Sequence, residues 1–211
     1  MLVPGGTPDL HGRPDKRVGE PRRVESTIGL NQQIFLLINA KPFAGPPLTV
    51  IATWLSSWSV IVPVCVVSLI LLAVAQRRIA PAAWLFAAIV AAVGAVSLLN
   101  EIWPQARPFV DGIGTQLAHH SPDPSFPSHH ASVAFTLALG VLFRPGIRIL
   151  GVLLVFWAVA VSWSRVYLGV HWPLDILGGF GIALILAGLT MVFGTTEPPR
   201  RKGRYSTGRF N

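Results

Sequence analysis

The chain has 211 residues, of which 52% are hydrophobic and only 12% are charged. Soluble domains carry about 25% charged residues, so this composition excludes a soluble globular protein and indicates an integral membrane protein. The net charge is +8, and ten of the 17 basic residues lie in the terminal tails, where we expect them to fix the topology and contact anionic lipid. The sequence predicts no nucleic-acid partner.

Three regions follow one another along the chain. Residues 1–26 are polar and rich in proline and glycine, and we expect them to form a flexible cytoplasmic tail with no cleavable signal peptide. Residues 27–194 are apolar and predict the membrane-embedded domain. Residues 195–211 are strongly basic and predict a second cytoplasmic tail.

Six membrane spans are predicted, which makes the fold class an all-α integral membrane protein. The first apolar region, residues 28–54, is interrupted by Lys41, Pro42 and the Gly-Pro-Pro at 45–47. It is therefore either one kinked span or a short interfacial helix followed by a second piece. The other five spans are predicted from the uncharged runs 57–75, 79–99, 131–143, 149–164 and 176–194.

Basic residues sort the loops by membrane side. Arg77 and Arg78 lie between the second and third spans, and Arg144 and Arg148 lie between the fourth and fifth. Cytoplasmic loops are enriched in Lys and Arg, so these loops are predicted to be cytoplasmic. The loop and turn on the opposite side then face outward.

Three short segments on that outward side carry polar residues. They are "NEIWPQARPF" at 100–109, "PSFPSHHAS" at 124–132 and "SRVYLGVHWPLD" at 164–175. Each joins the end of one span to the start of another, so connectivity alone brings them to one membrane surface. Ionisable groups near membrane depth are costly and usually functional. The predicted cluster consists of Arg107, Ser128, His129, His130, Arg165, His171 and Asp175.

The two arginines of this cluster, Arg107 and Arg165, predict an anionic ligand. A guanidinium matches phosphate oxygens in a bidentate manner, and no run of carboxylates is available to neutralise both groups. The alternative is that they extend to lipid headgroups or pair with Glu101 and Asp111. Ser128 precedes an apolar helix, whose first N–H groups would also favour an anion.

The histidines predict covalent phosphoryl chemistry. His171 and Asp175 are four residues apart at a helix start, so the carboxylate can fix the tautomer and leave the other ring nitrogen free to attack phosphorus. His130 could protonate the leaving oxygen and later activate water. A metal site is not expected, since the sequence contains neither a cysteine cluster nor the HExxH spacing. No other cofactor is predicted.

These segments resemble the type 2 phosphatidic acid phosphatase superfamily, whose motifs are K-x6-R-P, P-S-G-H and S-R-x5-H-x3-D. The third motif is complete at 164–175. The second is present at 127–130, with His129 at the usual glycine position. The first keeps Arg107 and the following proline but has Asn100 in place of lysine.

Within that superfamily the chain is most similar to the bacterial undecaprenyl-diphosphatase branch. That branch also lacks the lysine and has "RPF" and "SFPS-x-H" around the first two motifs. The stretches "NQQIFLLINA" and "SWSRVYLGVHWPLDILGG" look like it as well. The resemblance covers about residues 28–190, which is essentially the whole membrane part.

The resemblance implies a six-helix bundle with a pocket at its outer end and no metal requirement. It makes His171 the nucleophile, Asp175 its orienting carboxylate and His130 the general acid and base. The remaining matched positions would hold the phosphoryl group; they are Arg107, Ser128 and Arg165, with further contacts from His129 and Asn100.

The predicted function is removal of the terminal phosphate of undecaprenyl diphosphate through a phosphohistidine, at the outer face of a bacterial inner membrane. The alternatives are a phosphatidic acid or phosphatidylglycerophosphate phosphatase, a lipid phosphotransferase, or a non-catalytic carrier of lipid phosphates. The pairing of His171 with Asp175 argues against the carrier, because binding alone needs no oriented nucleophile. The expected partners are a polyprenyl or phospholipid phosphate and the bilayer, and the oligomeric state is left open.

Overall fold

The structure is a computed structural model that describes residues 29–42 and 45–193. The tails predicted at 1–26 and 195–211 lie outside these ranges. The regular structure within the described ranges is helical. The helices are α1 (Leu30–Ile38), α2 (Pro46–Leu55), α3 (Trp58–Gln76), α4 (Ala80–Ile102), α5 (His129–Leu142), α6 (Arg148–Tyr167) and α7 (Pro173–Phe193).

Four of these helices, α3, α4, α6 and α7, are long and apolar enough to cross a bilayer. They contain 19 to 23 residues, against the roughly 20 that a span requires. Helices α2 and α5 are also apolar but shorter, with 10 and 14 residues. The protein is therefore a multi-pass membrane protein, and the five later predicted spans agree with helices α3 to α7 within three residues at each end.

The first apolar region forms two helices, as the second of its two predicted alternatives had it. Helix α1 ends at Ile38, and Asn39 leaves the helix with an extended backbone (φ −60°, ψ 132°). Helix α2 begins at Pro46, where the missing N–H of proline costs no intrahelical hydrogen bond.

Helix α5 forms the centre of the bundle and is packed against α3, α4, α6 and α7. Residues 130–141 are buried without interruption. Its neighbours present small side chains to it, including Ala158 on α6 and Ala183 and Ala187 on α7. Small residues let helix backbones approach closely, which is how helices associate where lipid removes the hydrophobic driving force.

Large apolar side chains cover the outside of the bundle. Val66, Phe86, Phe156 and Ile185 lie on α3, α4, α6 and α7 and are each about half exposed or more. Such a surface would favour aggregation in water, whereas the hydrocarbon of a bilayer matches it. The outer faces of these helices are therefore the expected lipid-contacting surfaces.

Asn39 fastens the long outer loop, residues 103–128, to the end of α6. Its Oδ1 accepts the Thr115 N–H at 2.7 Å, and its Nδ2 donates to the carbonyls of Thr115 and Tyr167 at 2.9 and 3.1 Å. Gly169 lies at the same junction with φ +78°, and a Cβ there would lie 2.1 Å from the Thr115 carbonyl oxygen. Only glycine fits this position.

The opposite end of the bundle collects the basic loops. Gln76 at the end of α3 donates from Nε2 to the Pro145 carbonyl at 2.7 Å, which brings the α3–α4 and α5–α6 connections together. The four arginines of these two connections therefore lie at the end away from the outer loop; they are Arg77, Arg78, Arg144 and Arg148.

We predict that Gly151→Ala destabilises the bundle. A Cβ at Gly151 would lie 2.2 Å from the Leu142 Cα and 2.6 Å from its N, and helix backbone cannot move aside as a side chain can. Overpacking costs about 1–3 kcal/mol, which exceeds the roughly 0.5–1 kcal/mol gained from replacing a helical glycine. The measurement is thermal unfolding in detergent. Gly94→Ala is the control, because nothing lies within 4 Å of a Cβ there; equal unfolding temperatures would contradict the close packing.

Candidate active site

The candidate site lies where the 103–128 loop, the start of α5 and the turn 168–172 meet. Ser128, just before α5, donates its backbone N–H to the Asp175 carbonyl at 3.0 Å. A Cβ on Gly179 would lie 2.9 Å from the Ser128 carbonyl oxygen, so α7 crosses α5 closely here. Six of the eight predicted residues are gathered at this junction: Arg107, Ser128, His130, Arg165, His171 and Asp175.

His171 and Asp175 form a buried pair at the start of α7. His171 Nδ1 lies 3.1 Å from Asp175 Oδ2, which also accepts the Trp172 N–H at 2.8 Å. The two side chains are almost entirely inaccessible to solvent. Since Oδ2 already accepts the Trp172 N–H, we assign Nδ1 as the donor to Oδ2, which leaves Nε2 with its lone pair.

Trp172 connects this turn to the loop that carries Arg107. Its Nε1 donates to the Ala106 carbonyl at 2.9 Å, and its ring packs on Phe35 of α1 with centroids 5.0 Å apart. His171 and Arg107 are the chain neighbours of the two residues that this hydrogen bond joins. The bond therefore fixes the spacing between the His171 imidazole and the Arg107 guanidinium.

Arg107 is buried and bonded at each of its three nitrogens. Nε donates to the Asp123 carbonyl at 2.9 Å, Nη1 to the Val170 carbonyl at 2.8 Å and Nη2 to the Pro124 carbonyl at 3.1 Å. Nη1 also lies 3.3 Å from His171 Nε2. Burial lowers the pKa of Arg107 while Asp123 opposes that change, and a guanidinium remains cationic in proteins. A fixed positive charge thus lies beside the free nitrogen of His171.

The carboxylate partner of Arg107 is Asp123, which the sequence analysis did not identify. Arg107 Nε lies 3.2 Å from Asp123 Oδ1, whereas the alternative partners Glu101 and Asp111 form no ion pair with it in the described chain. Burial acts to raise the pKa of Asp123, but the Arg107 charge and the Ser121 hydroxyl together lower it by more. The pKa therefore lies below its usual value, and the carboxyl stays ionised. No sequence pattern signals a pair 16 residues apart in an irregular loop.

Arg165, in the last turn of α6, is only 4% exposed, yet its Nε and Nη2 have no hydrogen-bond partner within the described residues. None of the described carboxylates lies at ion-pair distance from it. Buried donors in proteins are normally paired. Four other site atoms share this condition within the described residues: Ser128 Oγ, His130 Nε2, Asn100 Oδ1 and Asp175 Oδ1. The donors among them are complementary to an anion with several acceptor oxygens.

His130 lies in the first turn of α5 with its ring held from the side of α3. The Trp58 ring packs against it with centroids 4.3 Å apart, and the Ser56 backbone is a hydrogen-bond partner of the imidazole. Since Nε2 has no partner, the Ser56 bond falls on Nδ1. His130 also interacts electrostatically with Arg165 and His171. The tryptophan contact was not predicted, because it joins residues that are far apart in sequence.

The other two predicted residues, His129 and Asn100, are not joined to the cluster by hydrogen bonds within the described residues. His129 is half-buried, and its Nε2 lies 3.3 Å from Ser97 Oγ on α4, although the ring remains within electrostatic reach of Arg107. Asn100 lies in the last turns of α4 and forms no hydrogen bond to the six gathered residues in the described chain.

The environment of His171 keeps its ring neutral. Burial lowers its pKa well below the usual range, and the charges of Arg165 and Arg107 lower it further. A neutral imidazole with its tautomer fixed by a carboxylate is a nucleophile or base at Nε2. Next to two cations, that nitrogen is suited to attack an electrophile that carries negative charge, such as phosphorus in a phosphate ester or anhydride.

The known proteins to which this chain is similar include two named as diphosphatases. YbjG of Escherichia coli strain K12, named as a candidate undecaprenyl-diphosphatase, is 41% identical over 167 residues, which are 76% of this chain and 78% of YbjG. A Sulfolobus acidocaldarius protein named undecaprenyl-diphosphatase is 33% identical over 181 residues, 84% of each chain. The crystal structure of Aquifex aeolicus LpxE superposes with a TM-score of 0.64 at 28% identity, covering 78% of this chain and 96% of LpxE.

Residues 81–198, more than half of the chain, match the PAP2 superfamily. This match includes all three segments from which the site is built. The resemblance read from the three motifs is thus confirmed, and the chain belongs to the PAP2 superfamily, the type 2 phosphatidic acid phosphatases.

Proposed function

We propose that the protein hydrolyses undecaprenyl diphosphate to undecaprenyl phosphate and inorganic phosphate. The observation that carries the proposal is the buried His171 ring, oriented by Asp175, with the Arg107 guanidinium 3.3 Å from its free nitrogen. The names of the two relatives support the choice of substrate. The product would return to cell-wall synthesis as carrier lipid.

The first step is in-line displacement at the terminal phosphorus. His171 Nε2 supplies the electron pair for the new N–P bond, and the bond from phosphorus to the bridging oxygen breaks. His130 gives a proton to that oxygen as undecaprenyl phosphate leaves. The enzyme is then a phosphohistidine, which Asp175 stabilises through Nδ1–H.

The second step is hydrolysis of the phosphohistidine. His130, now neutral, takes a proton from water as the water oxygen attacks phosphorus, and the N–P bond breaks to release inorganic phosphate. Phosphoryl transfer needs mainly positioning and stabilisation of charge on the equatorial oxygens. Arg107, Arg165 and Ser128 supply these contacts, with His129 and Asn100 at the edge, so the reaction is metal-independent.

The membrane arrangement completes the proposal. We place the site at the outer face of a bacterial inner membrane, with α3 to α7 crossing the bilayer. Helices α1 and α2 lie at the outer end, because Asn31 and Ala40 bond to residues there and Ala52 packs against Tyr167, so the predicted six spans become five. The four arginines at the opposite end support this orientation, since basic loops stay in the cytoplasm. A lipid substrate can then keep its tail in the bilayer while its headgroup enters from the outer leaflet.

A substrate comparison tests this function. We expect purified protein in chelator to release phosphate faster from undecaprenyl diphosphate than from phosphatidic acid or phosphatidylglycerophosphate. His171→Ala should lower the rate by at least about 10³-fold, because without the nucleophile the site only binds, and should retain lipid binding. Faster turnover of either phospholipid would assign another substrate, and normal turnover by the variant would remove His171 as nucleophile.

Arg165 and Asn100 are expected to contribute unequally to kcat/KM. Arg165→Ala should lower kcat/KM by about 10²-fold or more, as for loss of a transition-state donor. Asn100→Ala should cost less than about 10-fold, because a neutral hydrogen bond is roughly half as strong as a charge-assisted one. Steady-state kinetics on both variants makes the measurement. Equal losses would mean that Asn100 replaces the missing motif lysine in function.

The ionisation of His171 gives a pH prediction. Its lowered pKa means that the ring takes up a proton only at low pH, so the free base should persist well below pH 6.5 and disappear as the pH falls through the lowered value. NMR of histidine-labelled protein without substrate avoids the phosphate ionisation near pH 6. His171→Gln assigns the signal. A titration midpoint at or above 6.5 would contradict the neutral nucleophile.

A further inference from the structure

A histidine outside the three motifs lies at the proposed nucleophile. The His120 ring stands edge-on to the His171 ring, with centroids 6.3 Å apart and planes at 76°. Its charge also acts on His130, the proposed general acid. His120 is therefore part of the same cluster, although the two-step reaction above gives it no task.

The hydrogen bonds of His120 leave one ring nitrogen available. Nδ1 lies 3.1 Å from the Ser121 carbonyl oxygen and 3.3 Å from Asp123 Oδ1, both of which accept. Nδ1 therefore carries the proton. Nε2 forms no hydrogen bond with any part of the chain that the structure describes. The arrangement parallels the pair of His171 and Asp175, with the same kind of carboxylate contact on the same ring nitrogen.

His120 is more accessible than the groups that hold the terminal phosphoryl group. Its side chain is 23% exposed and Asp123 is 53% exposed, whereas Arg107 is 4% exposed. The ring thus borders the reacting centre from the side of the outer loop. A group attached next to the terminal phosphoryl could reach Nε2 there.

The charges at the reacting centre indicate that this attached group is a second phosphate. The reacting centre holds the two guanidinium groups of Arg107 and Arg165, and a lipid diphosphate carries one more ionised oxygen than a lipid monophosphate. Burial lowers the pKa of His120 and the two arginines lower it further, while Asp123 and the Ser121 carbonyl raise it. His130 and His171 also face the ring. A bound polyanion would offset the arginine charges and favour protonation of Nε2.

We propose that His120 is a phosphate-binding residue that contacts the second phosphate of a lipid diphosphate through Nε2 and so sets a preference for diphosphates over monophosphates. The inference rests on the proposed function and names its specificity determinant. Asp123 holds both Arg107 Nε and His120 Nδ1 with one oxygen, Oδ1. Asp123 thereby fixes the spacing between the two residues that would contact the two phosphates.

The kinetic test uses substrates with matched tails, farnesyl diphosphate and farnesyl monophosphate. We expect His120→Gln to lower the ratio of kcat/KM values, diphosphate over monophosphate, by at least about 5-fold, as for loss of one charge-assisted contact. The adjacent exposed His119 gives the matched control, His119→Gln, which should leave the ratio unchanged. An unchanged ratio in His120→Gln would overturn the proposal.

A second readout does not depend on turnover. In the His171→Ala background, calorimetry in two buffers of different ionisation enthalpy should detect proton uptake when farnesyl diphosphate binds, and adding His120→Gln should reduce it, leaving the share taken up by His130. Uptake that is undiminished without His120 would overturn the assignment. If the wild-type protein binds diphosphate with this uptake but does not hydrolyse it, the proposed function fails while the binding role of His120 stands.

Discussion

Two buried guanidinium groups beside a histidine that stays neutral are the constraint around which the rest of the site is arranged. Burying an ion costs several kcal/mol unless it is paired. Arg107 meets this requirement within the protein, through backbone carbonyls and Asp123. Arg165 has buried donors without protein partners, so an anion can complete its environment. Arg107 is therefore positioned largely by the protein, whereas Arg165 has more donors available for the ligand.

The helical framework explains how such a charged cluster is held inside a membrane bundle. Helix α5 has 14 residues and is about 21 Å long, whereas the 23 residues of α4 extend about 35 Å. The 103–128 loop lies at the first turn of this shorter helix, where Arg107 is within electrostatic reach of His129. Asn39 and Trp172 fasten that loop to the helix ends by hydrogen bonds to its backbone.

Features confined to one helical turn or one apolar run could be predicted from the sequence. The helices follow from uncharged runs, and the pair of His171 and Asp175 follows from a spacing of four at a helix start. The partner of Arg107 could not be predicted, because an irregular loop has no periodicity that relates residue 107 to residue 123. The bonds of Asn39 span 76 and 128 residues, and only the folded bundle brings those groups together.

The site contains two carboxylate–imidazole pairs, which differ in how far their carboxylates are exposed to solvent. Asp175 is fully buried and fixes the Nδ1–H tautomer of His171 from within the bundle. Asp123 is 53% exposed and shares its Oδ1 with Arg107, so the outer pair is closer to solvent and to the incoming headgroup. A ligand at the outer loop can therefore reach His120, while the buried Asp175 keeps the tautomer of His171, on which attack at phosphorus depends.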